Sequence, residues 1–154
     1  MQNSQSMARN AEHGDRAEGH ILTRVRYPET DRMGIAHHAH YLVWFELART
    51  EWMRELGIPY LELEQRDGIF LPVVQVGAAY HASARYDDIV RISACLAWVR
   101  RVRMRLEYAV TRQGDGLLLA TGFTVHAAVD GEGRPRRLPE RLVRALAGVA
   151  GESP

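Results

Sequence analysis

The sequence predicts an α+β domain in which a curved antiparallel sheet wraps one long helix. Three observations carry this. Residues 39–56 contain neither Gly nor Pro, and Gly57 and Pro59 follow as a cap and a stop, which predicts a helix over Ala39 to Leu56. From Ile69 onward the pattern turns to apolar/polar alternation broken by short turns, and strands joined by such turns pair antiparallel. Between Tyr41 and Ala48 only Glu46 is charged, so the first half of the helix is apolar nearly all round and is expected to be enclosed by other structure.

In chain order, residues 1 to 19 are polar and without periodicity, and read as a disordered tail before a domain over residues 20–148. Residues 149–154 read as a second tail. Ile21 to Tyr27 alternates as a strand that Pro28 ends, and the turn Glu29 to Gly34 leads into the helix. Tyr41, Phe45, Ala48 and Trp52 form its apolar stripe, with Arg49, Glu51, Arg54 and Glu55 expected outward. Tyr60 to Arg66 reads as a short helix closed by Asp67-Gly68. Ile69 to Ser83 is a Val-rich strand region, with Gly77 expected to mark a bend. Ile89 to Val99 places Val90, Ile92, Ala94, Leu96 and Trp98 on one face. Arg100-Arg101 makes a corner, Val102 to Thr111 alternates again, and Gly114 to Gly116 turns into the strand Leu117 to Val129. A charged loop over Gly131 to Pro139 precedes a short helix, Glu140 to Ala147.

The chain has 154 residues, enough for one domain with a buried core. Its net charge of +1 supplies no global field for nucleic acid or an anionic membrane. All twenty basic residues are arginine, which removes lysine Schiff-base and general-base chemistry and favours forked binding of phosphate. The single cysteine, Cys95, permits no intrachain disulfide and fits a reduced, cytoplasmic setting. No apolar run reaches the roughly 20 residues needed to span a bilayer, and residues 1 to 19 lack the apolar core expected of a signal peptide.

The candidate chemistry gathers before the helix. Asp31, within Thr30-Asp31-Arg32-Met33-Gly34, reads either as a turn aspartate or as a carboxylate beside a helix N-terminus. At that terminus free amides and the helix dipole would stabilise an oxyanion. Such a carboxylate would activate water or attack a carbonyl itself. His37, His38 and His40 crowd the same stretch, but residues 38 and 40 of a helix start point apart, so no metal site is expected. Tyr27, at a strand end four residues before Asp31, is placed to orient the carboxylate, or is a core tyrosine. Glu46, if buried, needs a partner, and Arg49 one turn on is the expected one. Arg100, Arg101, Arg103 and Arg105, with Arg134, Arg136 and Arg137, read as solvated faces or as a phosphate cradle. RNA binding would want exposed aromatics among the arginines, whereas Trp98 and Tyr108 are expected on the core face.

These residues resemble a known family. Tyr27 through Gly34 and His38 to Tyr41, then Trp44-Phe-Glu46, Ala48-Arg49, Ala84 to Asp88, Thr124 to His126 and Gly133 to Pro135, are similar to the hotdog-fold acyl-CoA thioesterases of the 4-hydroxybenzoyl-CoA thioesterase family. The branch that includes the Tol–Pal-associated thioesterases is nearest in motif. The resemblance implies a hydrolase of acyl-CoA thioesters, working as a homodimer and usually a homotetramer with sites at the dimer interface. It implies no resident cofactor, because coenzyme A arrives as part of the substrate. It makes Asp31 the nucleophile or general base, His38 the helix-start residue whose amide polarises the thioester carbonyl, and Tyr27 a neighbour of the aspartate. It makes Arg100 and Arg101, and with them Arg134 and Arg136, contacts for coenzyme A phosphates. His40 replaces the family's usual asparagine. A hotdog hydratase or dehydratase, and a non-catalytic acyl-binding module, are the other readings.

Overall fold

The computed structural model describes residues 18–149, and side chains for residues 18–146. The expected tails fall almost wholly outside that span. Where they meet it, the strand begins earlier than the sequence pattern indicates. β1 (Glu18–Arg24) pairs Glu18 with Cys95 and Gly19 with Ala94, and Glu18 accepts from Arg91 at 2.9 Å. Gly19 is buried under the Trp52 ring, where a Cβ would lie 2.3 Å from the indole, so polarity alone misassigned it to the tail.

The long helix α1 (His40–Glu55) follows a 3-10 turn at Tyr27–Glu29. A short helix α2 (Tyr60–Glu62) runs into a π-turn, Leu63–Asp67, closed by Gly68 at φ 64°. Then come β2 (Val73–Tyr80), β3 (Ile89–Val99), β4 (Arg103–Arg112) and β5 (Leu118–Ala127), and last α3 (Glu140–Val149). The five strands form one antiparallel sheet in the order β1-β3-β4-β5-β2. The helix α1 lies across β1 and β3 on the concave face. Its stripe of Tyr41, Trp44, Phe45, Ala48, Trp52 and Met53 is buried against Ile92, Leu106, Tyr108 and Ala120. Phe45 stacks flat on Tyr108 at 4.5 Å, and Gly122 leaves the room, since a Cβ there would sit 2.4 Å from the Phe45 ring.

Four expectations are corrected. Gly77 is not a bend: the β2 irregularity falls between Val73 and Gln75, and Gly77 is small because the Phe123 ring covers it. A bulge between Leu96 and Trp98 shifts β3 by one residue, which moves Trp98 opposite Arg105 on the outer face, where Arg100 stacks on it at 4.6 Å. The first half of α1 is not enclosed by its own chain, since Val43 is 47% and Leu47 48% exposed. Glu46 is exposed, and it is Arg49 that is buried.

Arg49 starts a directed chain of hydrogen bonds. Its Nε donates to Tyr60 Oη at 2.9 Å and its Nη1 to Tyr108 Oη at 3.2 Å. Tyr108 bonds Thr124 Oγ1 at 2.7 Å, Thr124 bonds His126 Nε2 at 2.8 Å, and His126 Nδ1 reaches Leu71 O at 2.9 Å. A carbonyl only accepts, so Nδ1–H donates to Leu71, and in the neutral ring Nε2 then accepts from Thr124 Oγ1. Burial, and then the Arg49 charge, push His126 down to about 4, against the opposing Leu71 bond.

The folded value lies below the unfolded value, so the unfolded chain takes up the proton first as pH falls. About 3 kcal/mol of stability present above pH 6.5 is therefore lost between roughly pH 6.5 and 4. Urea titrations across that window should show this slope in the native protein and a flatter one in His126→Gln.

Candidate active site

The turn before α1 is a small hairpin in its own right. His37 N donates to Glu29 O, Thr30 bridges Ala36, and Asp31 N donates to Ile35 O at 2.8 Å. Gly34, at φ 76°, closes the tip with its amide on Asp31 O. The Asp31 carboxylate accepts from Met33 N at 2.8 Å through Oδ1, the local bond expected of a turn aspartate. Asp31 is half-buried, and the hairpin folds it back to within one rung of the segment that enters the helix.

That helix start is open. Its N-cap is Ala39, which offers no side-chain acceptor, and the first turn carries no acid. His40 N donates to His37 O, Leu42 N to Ala39 O, and Ala39 N to His37 Nδ1. Among the described residues, the amides of His38 and Tyr41 meet no acceptor outside the helix. Donors left free at the positive end of a sixteen-residue helix suit a carbonyl oxygen that gains charge. His38 itself is exposed, with its ring stacked on His37 at 4.2 Å and its carbonyl accepting from Tyr80 Oη at 2.8 Å. The three histidines do not converge on a point, and among the described residues no three His, Cys, Asp or Glu side chains gather as a metal site.

A buried carboxylate that the sequence reading passed over anchors this hairpin. Glu29 accepts from Trp44 Nε1 at 3.0 Å and from Arg26 N at 2.8 Å, with Arg26 Nε at 3.3 Å. Burial alone would raise its pKa, but these bonds outweigh burial and hold the carboxyl below its ordinary value. The signal was present as Pro-Glu ahead of the turn and Trp on the helix, but only the fold brings residues 29 and 44 together.

Tyr27 does not orient Asp31. It is 78% exposed, and its ring meets Tyr86 edge-on at 6.2 Å with no hydrogen bond to the carboxylate. The arginines also lie elsewhere. Leu138 N bonds Arg101 O, Ala128 N bonds Val102 O and Arg136 N bonds Ala128 O, so Arg100, Arg101, Arg134 and Arg136 share one end of the sheet. Arg134 and Arg136 both pair with Asp130, at 2.9 and 3.3 Å. The Asp31 hairpin is tied to the other end, through Ile35 to Arg85, just before β3 begins. The eleven residues of β3 separate the two, a span of roughly 30 Å. Within one chain these arginines do not reach Asp31.

The model of the thioesterase-like superfamily matches residues 25–146. The chain belongs to that superfamily. Over 64 residues it is 44% identical to a putative acyl-CoA thioesterase, YneP, of Bacillus subtilis, covering 42% of this chain and 46% of that protein. It is 29% identical to the acyl-CoA thioesterase YbgC of Haemophilus influenzae, over 80% of this chain and 90% of that one. The crystal structure of a DHNA-CoA thioesterase from Staphylococcus aureus superposes with a TM-score of 0.80 at 29% identity, covering 86% and 90%. The five-stranded sheet around α1 is thus the hotdog fold that the motifs implied.

Removing the Glu29 carboxylate should loosen the hairpin. Glu29→Ala leaves the Trp44 indole without an acceptor and is expected to cost about 2–3 kcal/mol, read from the urea midpoint.

Proposed function

We propose that this chain hydrolyses acyl-CoA thioesters, with Asp31 as the catalytic carboxylate and the open start of α1 as the oxyanion site. The observation that carries the reading is the pairing of a half-buried carboxylate with an uncapped helix terminus on one hairpin, in a chain of the thioesterase-like superfamily. The thioester carbonyl would lie against the amides at His38 and Tyr41. Asp31, directly or through water, would drive attack on the carbonyl carbon, and the thiolate of coenzyme A would leave.

The working unit in this reading is a homodimer paired along β2. β2 is an edge strand, exposed on both faces, with Val73, Val74 and Val76 uncovered beside the bare Leu42, Val43 and Leu47 of α1. A long apolar edge of this kind calls for pairing. Antiparallel pairing of two β2 strands would turn the arginine end of one protomer alongside the Asp31 end of the other. The gap of roughly 30 Å within one chain then ceases to matter: Arg100, Arg101, Arg134 and Arg136 of one copy would face the coenzyme A phosphates held at the other.

A panel of acyl-CoAs assayed for free-thiol release tests the reaction, since hydration or passive acyl binding liberates no thiol. With the best substrate, Asp31→Asn should lower kcat by about a hundredfold or more while the fold stays intact. A near-normal rate would remove Asp31 from its role. For the assembly, Val76→Arg should yield monomers in sedimentation velocity and lose activity in parallel; a fully active monomer would sink the shared-site arrangement.

A further inference from the structure

The buried guanidinium of Arg49 has a use that thioester chemistry does not require. Arg49 is 7% exposed and keeps its charge, yet among the described residues no carboxylate lies within ion-pair distance of it. Its hydrogen-bond acceptors are two phenol oxygens. Neither phenol balances the charge, because burial pushes Tyr60 up to about 12 and raises Tyr108 as well, so both are neutral at working pH. His126, at the far end of the same network, is neutral too. A buried charge compensated only by neutral groups is costly.

The rest of the guanidinium opens onto space. Arg49 lines a cleft of about 620 Å³ that Thr50, Phe70, Leu71, Pro72 and Val129 also line. Nε and one Nη1 proton are committed to the tyrosines, while Nη2 donates to no described residue. An arginine with its Nη edge free presents two parallel donors, which is the geometry of a carboxylate. Phe70, Leu71, Pro72 and Val129 give the cleft an apolar wall beside the one cation in its lining, an arrangement suited to a small amphipathic ligand.

We propose that this cleft is a binding site for a small organic carboxylate, whose carboxyl group meets the Nη edge of Arg49 and whose apolar body lies against Phe70, Leu71 and Val129. Glu46 and Glu64 stand at the rim and oppose an anion, while Asp130, also at the cleft, is occupied by Arg134 and Arg136. The rim acids therefore set how weakly the site holds its ligand. The site is separate from the Asp31 hairpin within one chain and does not rest on thioester hydrolysis. The free acid released by that reaction does belong to the same chemical class.

The test is a calorimetric and NMR titration of the full chain, in its native assembly, with benzoate and with its uncharged analogue benzamide. Saturable benzoate binding in the millimolar range is expected, with benzamide at least tenfold weaker. Arg49→Gln should abolish the preference for benzoate. Because that variant disturbs a buried network, Gly131→Phe serves as a second one: Gly131 is exposed at the mouth, a Cβ there meets only the Phe70 ring at 3.9 Å, and the added ring should block benzoate entry without touching Arg49. Glu46→Gln should tighten binding severalfold. Equal affinity for benzoate and benzamide, unchanged binding in Gly131→Phe, or no saturable binding in the native protein would overturn the proposal.

Discussion

The bond between the Trp44 indole and the Glu29 carboxylate holds the candidate site together. It joins the hairpin that carries Asp31 to the helix that supplies the amides. Without that tie, two segments linked by a few residues would sample many relative positions, and oxyanion stabilisation depends on donors being fixed before charge develops. The carboxylate is buried, which would normally be unfavourable, but two nitrogen donors from Arg26 and the indole satisfy it. Ala39 itself brings no side-chain acceptor to the helix start, and His37 Nδ1 takes only the Ala39 amide. A conventional Ser or Asp cap would have stabilised α1 by roughly 1 kcal/mol and occupied the donors that the site needs.

A second constraint comes from what the single chain leaves uncovered. β2 is exposed on both faces, and half of α1 shows apolar side chains to solvent. An all-round apolar helix pattern does not by itself produce enclosure: within this chain Val43 and Leu47 stay exposed. In the proposed β2-paired dimer, that exposed edge would bring the arginines of one copy toward Asp31 of the other. With a strand edge available for pairing, distance along one sheet is a poor guide to distance in the assembly.

Arg49 shows how polar groups can be buried in series. Each donor in the run from Arg49 to Leu71 finds one acceptor when His126 is neutral. The run ties α1 to β4, β5 and the entry to β2, the strand on which an assembly would depend.

By itself the sequence determined the order of the elements, the antiparallel sheet, the apolar stripe of α1 and the position of Asp31 just ahead of it. These follow from local rules: spacing at 2 and 3.6 residues, Gly and Pro as stops, and turn chemistry within a few residues. Tertiary structure decided what depends on contacts between distant residues. The strand register moved Trp98 outward through one bulge, and the core placed Arg49 inside and Glu46 outside, reversing the expectation for both. Glu29 found its partner fifteen residues away, and Tyr27 faced Tyr86 instead of Asp31. Periodicity specifies which face of an element is apolar. Which polar side chain is buried, and with whom, is set by the donors and acceptors that packing brings within 3 Å of one another, and no local pattern encodes that.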